Sequence, residues 1–391
     1  MVNPNETTGA HYDSLFAGDA KPIADGEPFY NVHLSYEDNY ARGPFGRFGQ
    51  ALKTRVAVET NAPAPGQRFL GFPVNLPFGI PAGPLLNARY VNAAFRMGFD
   101  LAVYKTVRSR SWPCNPFPNV LSVHTKSSDG SIRPGSPELE DGLLADEQYD
   151  YPISISNSFG VPSRDPDTWQ PDMEEAIASA GPGQLLIPSF QGSRSEGMSQ
   201  DAYIQDHVST AKLVCETGAQ LMEMNTSCPN EGHGRLLCHN PKLVGCITEQ
   251  VKSEIGDRPL IIKLAYISSD RDLETMVEET AALGRVQGFS TINTISARLI
   301  DAKGQQALPG KGRERSGVCG DCIRDTGLDM VARLNAIRQR MGLDFRIIGV
   351  GGVMHPDHYR AYRQLGADAV MSATGAMWNP LLAQQIACTR R

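Results

Sequence analysis

The segment EMNTSCPN at 223–230 sets Asn225, Ser227, Cys228 and Asn230 between a short apolar run and a proline turn. A thiol has a free pKa of about 8.5, and nearby cations lower it. Cys228 is therefore suited to act as a base near neutral pH. The ordinary role of a cysteine is a small buried hydrophobe. That is the reading for the other seven, at 114, 215, 238, 246, 319, 322 and 388. The Cys319–Cys322 pair, CGDC, is open to a redox or half-metal-site reading, but no second CxxC or thioredoxin-like context accompanies it. His233, Cys238 and His239 match no zinc spacing. No metal is expected.

Two lysines interrupt apolar runs: Lys105 follows LAVY and Lys263 follows LII. Lysine is rarely buried unless paired or functional. One such lysine is as readily explained by snorkelling from a strand end. Two of them, with Asn157, Asn225 and Asn293 at equivalent run ends, favour a ligand. Asparagine both donates and accepts. Several converging on one point suit a planar group with alternating carbonyls and N–H groups, a pyrimidine or a flavin. GVGG at 349–352 and SATG at 372–375 follow the last two apolar runs. Backbone N–H groups there suit a phosphate.

Those residues need a scaffold that gathers run ends. The short apolar runs are FGIPAG (78–83), LAVYKTV (101–107), ISISNSFG (153–160), LLIPSFQG (185–192), LMEMNTS (221–227), LIIKLAY (260–266), FSTINTIS (289–296), RIIGVGG (346–352) and AVMSATG (369–375). They have the character of strands buried on both faces of a parallel sheet. Helical patterns over Asn87–Met97, Gln200–Glu216, Lys242–Ile255, Asp270–Leu283, Gly327–Met341 and His355–Leu365 each run into a glycine. About eight strand–helix units predict an α/β fold, a (β/α)8 TIM barrel, with an open doubly wound sheet as the other arrangement of this pattern. Nine runs for eight strands leave one over. Either 185–192 is one of the eight, or 70–83 holds an extra hairpin (FLGF, then FGIPAG). Residues 1–68, rich in Gly, Pro, Asn and Asp, are expected to be an N-terminal extension with a short helix near Tyr36–Arg42. Residues 69–391 are the expected catalytic barrel.

The bulk composition agrees. The chain has 391 residues, 41% hydrophobic and 20% charged, with a formal net charge of -6. That supplies a large core and argues against a nucleic-acid surface. Irregularly spaced cysteines suit a reducing compartment. The polar start, MVNPNETTGAHYDSLFAGDAKP, has no apolar signal core, and no apolar run reaches 18 residues. The cytoplasm is the expected location.

The motifs FGIPAGPLLNA, VYKTV, ISNSFGVP, MNTSCPN, IIKLA, INTIS, SGVCG, IIGVGGV and GADAVMSATGAM, in this order over roughly 70–385, resemble the dihydroorotate dehydrogenase family. The resemblance implies a barrel holding FMN across its mouth and oxidation of dihydroorotate to orotate in pyrimidine (UMP) biosynthesis. A base takes the C5 proton, and the C6 hydrogen passes as hydride to flavin N5. The soluble class uses cysteine, which Cys228 matches; the membrane-bound class uses serine. Asn157, Asn225, Asn230, Asn293 and Thr294 match the pyrimidine-binding positions, with the backbone of Phe159 and Gly160 facing the substrate. Lys105 matches a lysine touching flavin and substrate, and Lys263 one beside the flavin N1–C2 edge. Asn293 also falls on the flavin side. Ala82 and Gly83 match the isoalloxazine contacts. Gly317, Gly351, Gly352, Ala373 and Thr374 match the phosphate end.

This chain departs from the family pattern in several places. The segment before residue 70 and the stretch 108–151, with its acidic run at Glu138, Glu140, Asp141, Asp146 and Glu147, are long. SGVCG stands for a more glycine-rich turn, and ATG for the usual Gly-Thr. A uracil- or thymine-directed relative, like the flavin domain of dihydropyrimidine dehydrogenase, is the nearest alternative. It usually has histidine where this chain has Asn230. A non-catalytic flavin-binding barrel is a weaker one, since base and cofactor lysine are both present. No GxGxxG opens a helix after a strand, so direct NAD binding is not expected. Fumarate, NAD through a partner electron-transfer subunit, quinone and oxygen stay open as acceptors. A homodimer is the expected assembly.

Overall fold

Alternation within each short strand decides which side chains enter the barrel. The computed structural model describes residues 28–54, 67–227 and 236–389. Eight parallel strands close on one another in chain order: β1 Phe78–Ile80, β2 Leu101–Val107, β3 Leu185–Phe190, β4 Met222–Asn225, β5 Leu260–Lys263, β6 Gly288–Thr291, β7 Arg346–Val350 and β8 Ala369–Met371. Val370 of β8 pairs with Phe78 of β1 and completes the ring. Leu101, Val103, Leu185, Ile187, Ile261, Ile348 and Met371 form one apolar cluster inside it. Their sequence neighbours Ala102, Tyr104, Leu186, Ile262 and Ile347 join the larger cluster with the surrounding helices. Successive strand residues face opposite ways, so both faces are apolar and each run is continuous.

The longer helices that follow the barrel strands are α1 Ala88–Arg96, α2 Pro166–Ala178, α3 Gln200–Glu216, α4 Pro241–Ile255, α5 Asp270–Glu279, α6 Arg324–Met341, α7 Pro356–Gln364 and α8 Leu382–Cys388. Five of the six expected helices end within two residues of their glycine. The helix expected over Asp270–Leu283 stops earlier, at Glu279. There the Thr280 hydroxyl bonds back to the Met276 carbonyl, a bond that competes with the helix. Helix α2 had no sequence expectation and carries two prolines, Pro166 and Pro171. Pro166 occupies the first turn, where its missing N–H costs nothing.

The run 153–160 is not a barrel strand, contrary to expectation. Ser154–Asn157 belongs to a second, five-stranded ring with Ser122–His124, Leu143–Asp146, Ile295–Ile300 and Arg315–Gly320. A short apolar run carries no mark of which sheet it joins. The run 185–192 supplies one of the eight strands, and FLGF does not pair with FGIPAG: a small hairpin instead closes within 68–73, Arg68–Phe69 against Phe72–Pro73. Its Phe69 joins the inner barrel cluster. The run FSTINTIS is split: its first half is β6, and its last residues start Ile295–Ile300. The 108–151 stretch supplies two strands of the ring, with the acidic run on its turn and second strand.

Residues 28–54 pack on α1 through helices Tyr36–Arg42 and Gly46–Lys53. Ser35 caps the first, accepting from Asp38 N at 3.1 Å. Phe29 and Phe48 stack with ring centroids 4.3 Å apart and are fully buried. Burial of each such ring contributes about 1.5–3 kcal/mol. Tyr90 of α1 donates from its hydroxyl to Asn39 O at 3.0 Å, and Asn87 donates from Nδ2 to Tyr40 O at 3.0 Å. No helix among the described residues is long and apolar enough to cross a membrane.

Candidate active site

The parity that places Leu101, Val103, Ile187, Leu221 and Ile261 inside the barrel also places the residues two positions on. These are Lys105 after Val103, Ser189 after Ile187, Glu223 after Leu221 and Lys263 after Ile261, with Asn225 two beyond Glu223. All five are buried. They stand above the apolar plug at the C-terminal ends of their strands, where barrels carry chemistry.

Each lysine is tied to a carbonyl from another segment. Lys263 Nζ donates to Ala82 O at 3.1 Å, and Lys105 Nζ donates to Pro162 O at 3.2 Å. Burial pushes the Lys263 ammonium below its ordinary pKa, while Glu223 acts to raise it. Glu223 is fully buried, and burial pushes its carboxyl up, opposed by Lys263 and by the Ser189 and Ser290 hydroxyls. Ser189 Oγ donates to Glu223 Oε1 at 3.0 Å and lies 3.0 Å from Thr106 Oγ1. The amide of Asn225 donates to Gln191 Oε1 at 2.8 Å. Its carbonyl accepts from Ser227 N at 3.2 Å and Ser227 Oγ at 2.9 Å. Asn293 Nδ2 donates to Ser227 O at 3.0 Å. The two asparagines thus brace the chain that leads to residue 228.

Lys105, Asn225, Lys263 and Asn293 open on a cavity of about 950 Å³, part of it continuous with solvent. Ala82, Gly83, Lys105, Asn157, Phe159, Asn225, Lys263, Asn293, Thr294, Ala373 and Thr374 all line it. A smaller adjoining cavity, sharing Asn293, Ala373 and Thr374, adds Gly351 and Gly352. At Gly352, φ is 63°, and a Cβ would come 2.4 Å from Arg324 Cβ. Only glycine lets the β7–α6 junction pack this closely. The Ser372 hydroxyl donates to Val353 O at 2.6 Å and accepts from Ala376 N at 3.1 Å, fixing the second turn.

The dihydroorotate dehydrogenase family model matches residues 150–388. Dihydroorotate dehydrogenase of Dictyostelium discoideum is 33% identical over 368 residues, covering 92% of this chain and 96% of that one. The chain belongs to the dihydroorotate dehydrogenase family. It is an oxidoreductase acting on CH–CH bonds. The catalytic subunit of dihydroorotate dehydrogenase B (NAD(+)) from Maridesulfovibrio salexigens is 29% identical, over 45% of this chain and 54% of that one. Dihydroorotate dehydrogenase A (fumarate) of Limosilactobacillus reuteri is 27% identical, over 49% of this chain and 58% of that one. A crystal structure of DHODH from Eimeria tenella in complex with ferulenol superposes with a TM-score of 0.65 at 16% identity, over 86% of each chain. That likeness establishes the barrel fold.

Within this family site, the structure gathers most of the sequence-derived residues. Eleven line the main cavity, and Gly351 and Gly352 line the adjoining one. Gly160 and Gly317 line neither. Gly160 follows Phe159 and offers its carbonyl to Arg108. Gly317 stands behind Thr294, whose Oγ1 would lie 2.3 Å from a Cβ on it. Cys228 and Asn230 lie outside the described residues.

The structure also adds residues that sequence reasoning passed over. Tyr30 and Tyr36 come from the extension, line the cavity, and meet the Phe159 ring edge-on at 5.7 and 6.3 Å. Cys319 of the CGDC pair lines both cavities. Burial pushes its thiol up to about 11, so it is neutral at physiological pH, and it accepts from Thr374 Oγ1 at 3.6 Å. Glu223 was legible by strand parity, two residues before Asn225.

Proposed function

We propose that this chain oxidises dihydroorotate to orotate in pyrimidine (UMP) biosynthesis, with FMN as its cofactor and Cys228 as the base. The observation that carries this reading is the convergence of Lys105, Lys263, Asn157, Asn225 and Asn293 on one cavity in a chain of this family. The donor set suits FMN: a buried lysine at the floor, an apolar wall with Ala82 and Val350, and a glycine turn at 351–352 lining the adjoining cavity, where a side chain on Gly352 would collide with Arg324. When bound, FMN supplies the two-electron acceptor for the hydrogen leaving C6 of the substrate.

The protein supplies aim and charge. Cys228 removes the C5 proton. The asparagines match the alternating carbonyl and N–H groups of a pyrimidine ring. Lys263 and Lys105 place positive charge where negative charge develops, and burial makes that charge more effective than it would be in water. Gly351, Gly352, Ala373 and Thr374 hold the phosphate with backbone N–H groups. In this reading residues 69–391 carry the catalysis, and the preceding segment contributes Tyr30 and Tyr36 to the cavity wall.

The test is an anaerobic visible spectrum of the purified protein before and after dihydroorotate. A yellow protein that bleaches is expected. A yellow protein unchanged by dihydroorotate would remove that substrate, and a colourless one that takes up no FMN would remove the cofactor.

A further inference from the structure

Among the described residues, Glu223 is a fully buried acid of the barrel interior that the reaction above leaves unused. It sits on β4 between Ser189 of β3, its register partner, and Ile261 of β5, two residues before Lys263. Its side chain is fully buried. Oε1 accepts from Ser189 Oγ at 3.0 Å, and Thr106 Oγ1 lies 3.0 Å beyond. The Ser290 hydroxyl on β6 also acts on this carboxyl. An ionisable carboxyl in such a place costs several kcal/mol unless a charge answers it.

The groups that act electrostatically on Lys263 are Glu223, from the adjacent strand, and Cys319, from the five-stranded ring. Strand register sets Glu223 and Lys263 diagonally on adjacent strands, both buried on the inward parity. Among the described residues Lys263 is the charged group that acts on Glu223 in return, with Ser189 and Ser290 as uncharged hydroxyls. Burial keeps the Cys319 thiol neutral. That leaves Glu223 as the counter-charge. Among the described residues Lys263 donates to the neutral carbonyl of Ala82. A lysine this buried with no counter-charge gives up its proton readily.

We propose that Glu223 is a positioning residue for Lys263: its carboxylate, held beneath the cavity floor by Ser189, keeps Lys263 protonated toward the bound flavin. The inference rests on the reading that FMN occupies this cavity. It adds a buried charge pair across β4 and β5 that sets the flavin's electrostatics from below. The floor lysine then works as half of a pair, and the Thr106–Ser189 hydroxyls tie that pair to β2 and β3.

The experiment is the midpoint potential of the bound flavin between pH 6 and 10, measured by spectroelectrochemistry on the holoprotein. Protonated Lys263 stabilises reduced flavin, so the slope of potential against pH changes where Lys263 deprotonates. In Glu223→Gln that break falls at least about one pH unit below its wild-type position, the shift typical of losing a close opposite charge. In Lys263→Met the break is absent. If Glu223→Gln folds poorly, Ser189→Ala reads the same quantity, with a smaller shift in the same direction. Superimposable curves for wild type and Glu223→Gln, or a break that persists in Lys263→Met, would overturn the proposal. Failure of the underlying reading looks different: the protein then binds no flavin, and no potential is recorded.

Discussion

Lys263 Nζ reaches the carbonyl oxygen of Ala82 at 3.1 Å, joining the end of β5 to the turn after β1 on the far side of the barrel mouth. The bond fixes a cation at the cavity floor and at the same time orients the Ala82–Gly83 wall. Replacing Lys263 with Met keeps most of the stem and removes the charge. Reduction of the flavin by dihydroorotate, followed by stopped-flow bleaching, should slow by about 10²-fold, the scale of losing one preorganised electrostatic group. A wild-type rate in this variant would take Lys263 out of the reaction.

Cys228 is the proposed base, and serine is a much weaker acid than cysteine. Cys228→Ser should lose most activity near neutral pH and recover part of it at alkaline pH. The pH–rate profile from pH 6 to 10 checks this. Full activity at pH 7 would exclude Cys228 as the base.

Asn225 holds Gln191 on one side and Ser227 on the other. Asn225→Ala removes these bonds and loosens the chain entering residue 228. KM should rise and kcat should fall, each by roughly 10-fold or more, since small misplacements are costly in a preorganised site. Steady-state kinetics with unchanged KM and kcat would count against the assigned position. Asn230→His tests substrate choice in the same assay and should weaken dihydroorotate turnover; unchanged kinetics would remove the argument that Asn230 favours a carboxylated substrate.

Arg313 is buried and clasps together loops beside the five-stranded ring. It donates to Pro116 O at 2.7 Å, Pro309 O at 2.6 Å, and Ser158 O and Oγ at 3.1 and 2.8 Å. Arg313→Ala removes these bonds, with the Ser158 carbonyl still held by Asn119 Nδ2 at 3.0 Å, and should cost about 1–3 kcal/mol in denaturant unfolding. A loss under about 0.5 kcal/mol, the scale of ordinary surface substitutions, would show that the clasp is dispensable.

His207 is fully buried, and burial lowers its pKa to about 4 against an ordinary 6.5. Between these values the unfolded chain binds the proton and the folded chain does not. Stability from this group therefore falls as pH drops from about 6.5 to about 4, and is constant outside that window. His207→Phe keeps the ring contact with Tyr203. Its acid loss should be shallower by up to about 1.4 kcal/mol per pH unit. Parallel stability curves for variant and wild type would contradict the buried neutral imidazole.

The primary structure determined the strand–helix alternation, the glycine stops, and the identity of most cavity residues. The reason is local. Apolar runs, caps and strand-end polar groups are set within a few residues, and strand parity carries Lys105, Asn225 and Lys263 inward without knowledge of the rest. What only the tertiary structure decided is how distant segments meet. Ser154–Asn157 left the barrel for a second ring because its partner, Arg315–Gly320, lies some 160 residues away in sequence, a pairing no local pattern encodes. Tyr30 and Tyr36 reached the cavity because Phe29 and Phe48 anchor their segment on α1. Glu223 acquired its meaning from β3, β5 and β6 closing around it, because the worth of a buried charge depends on what surrounds it in space.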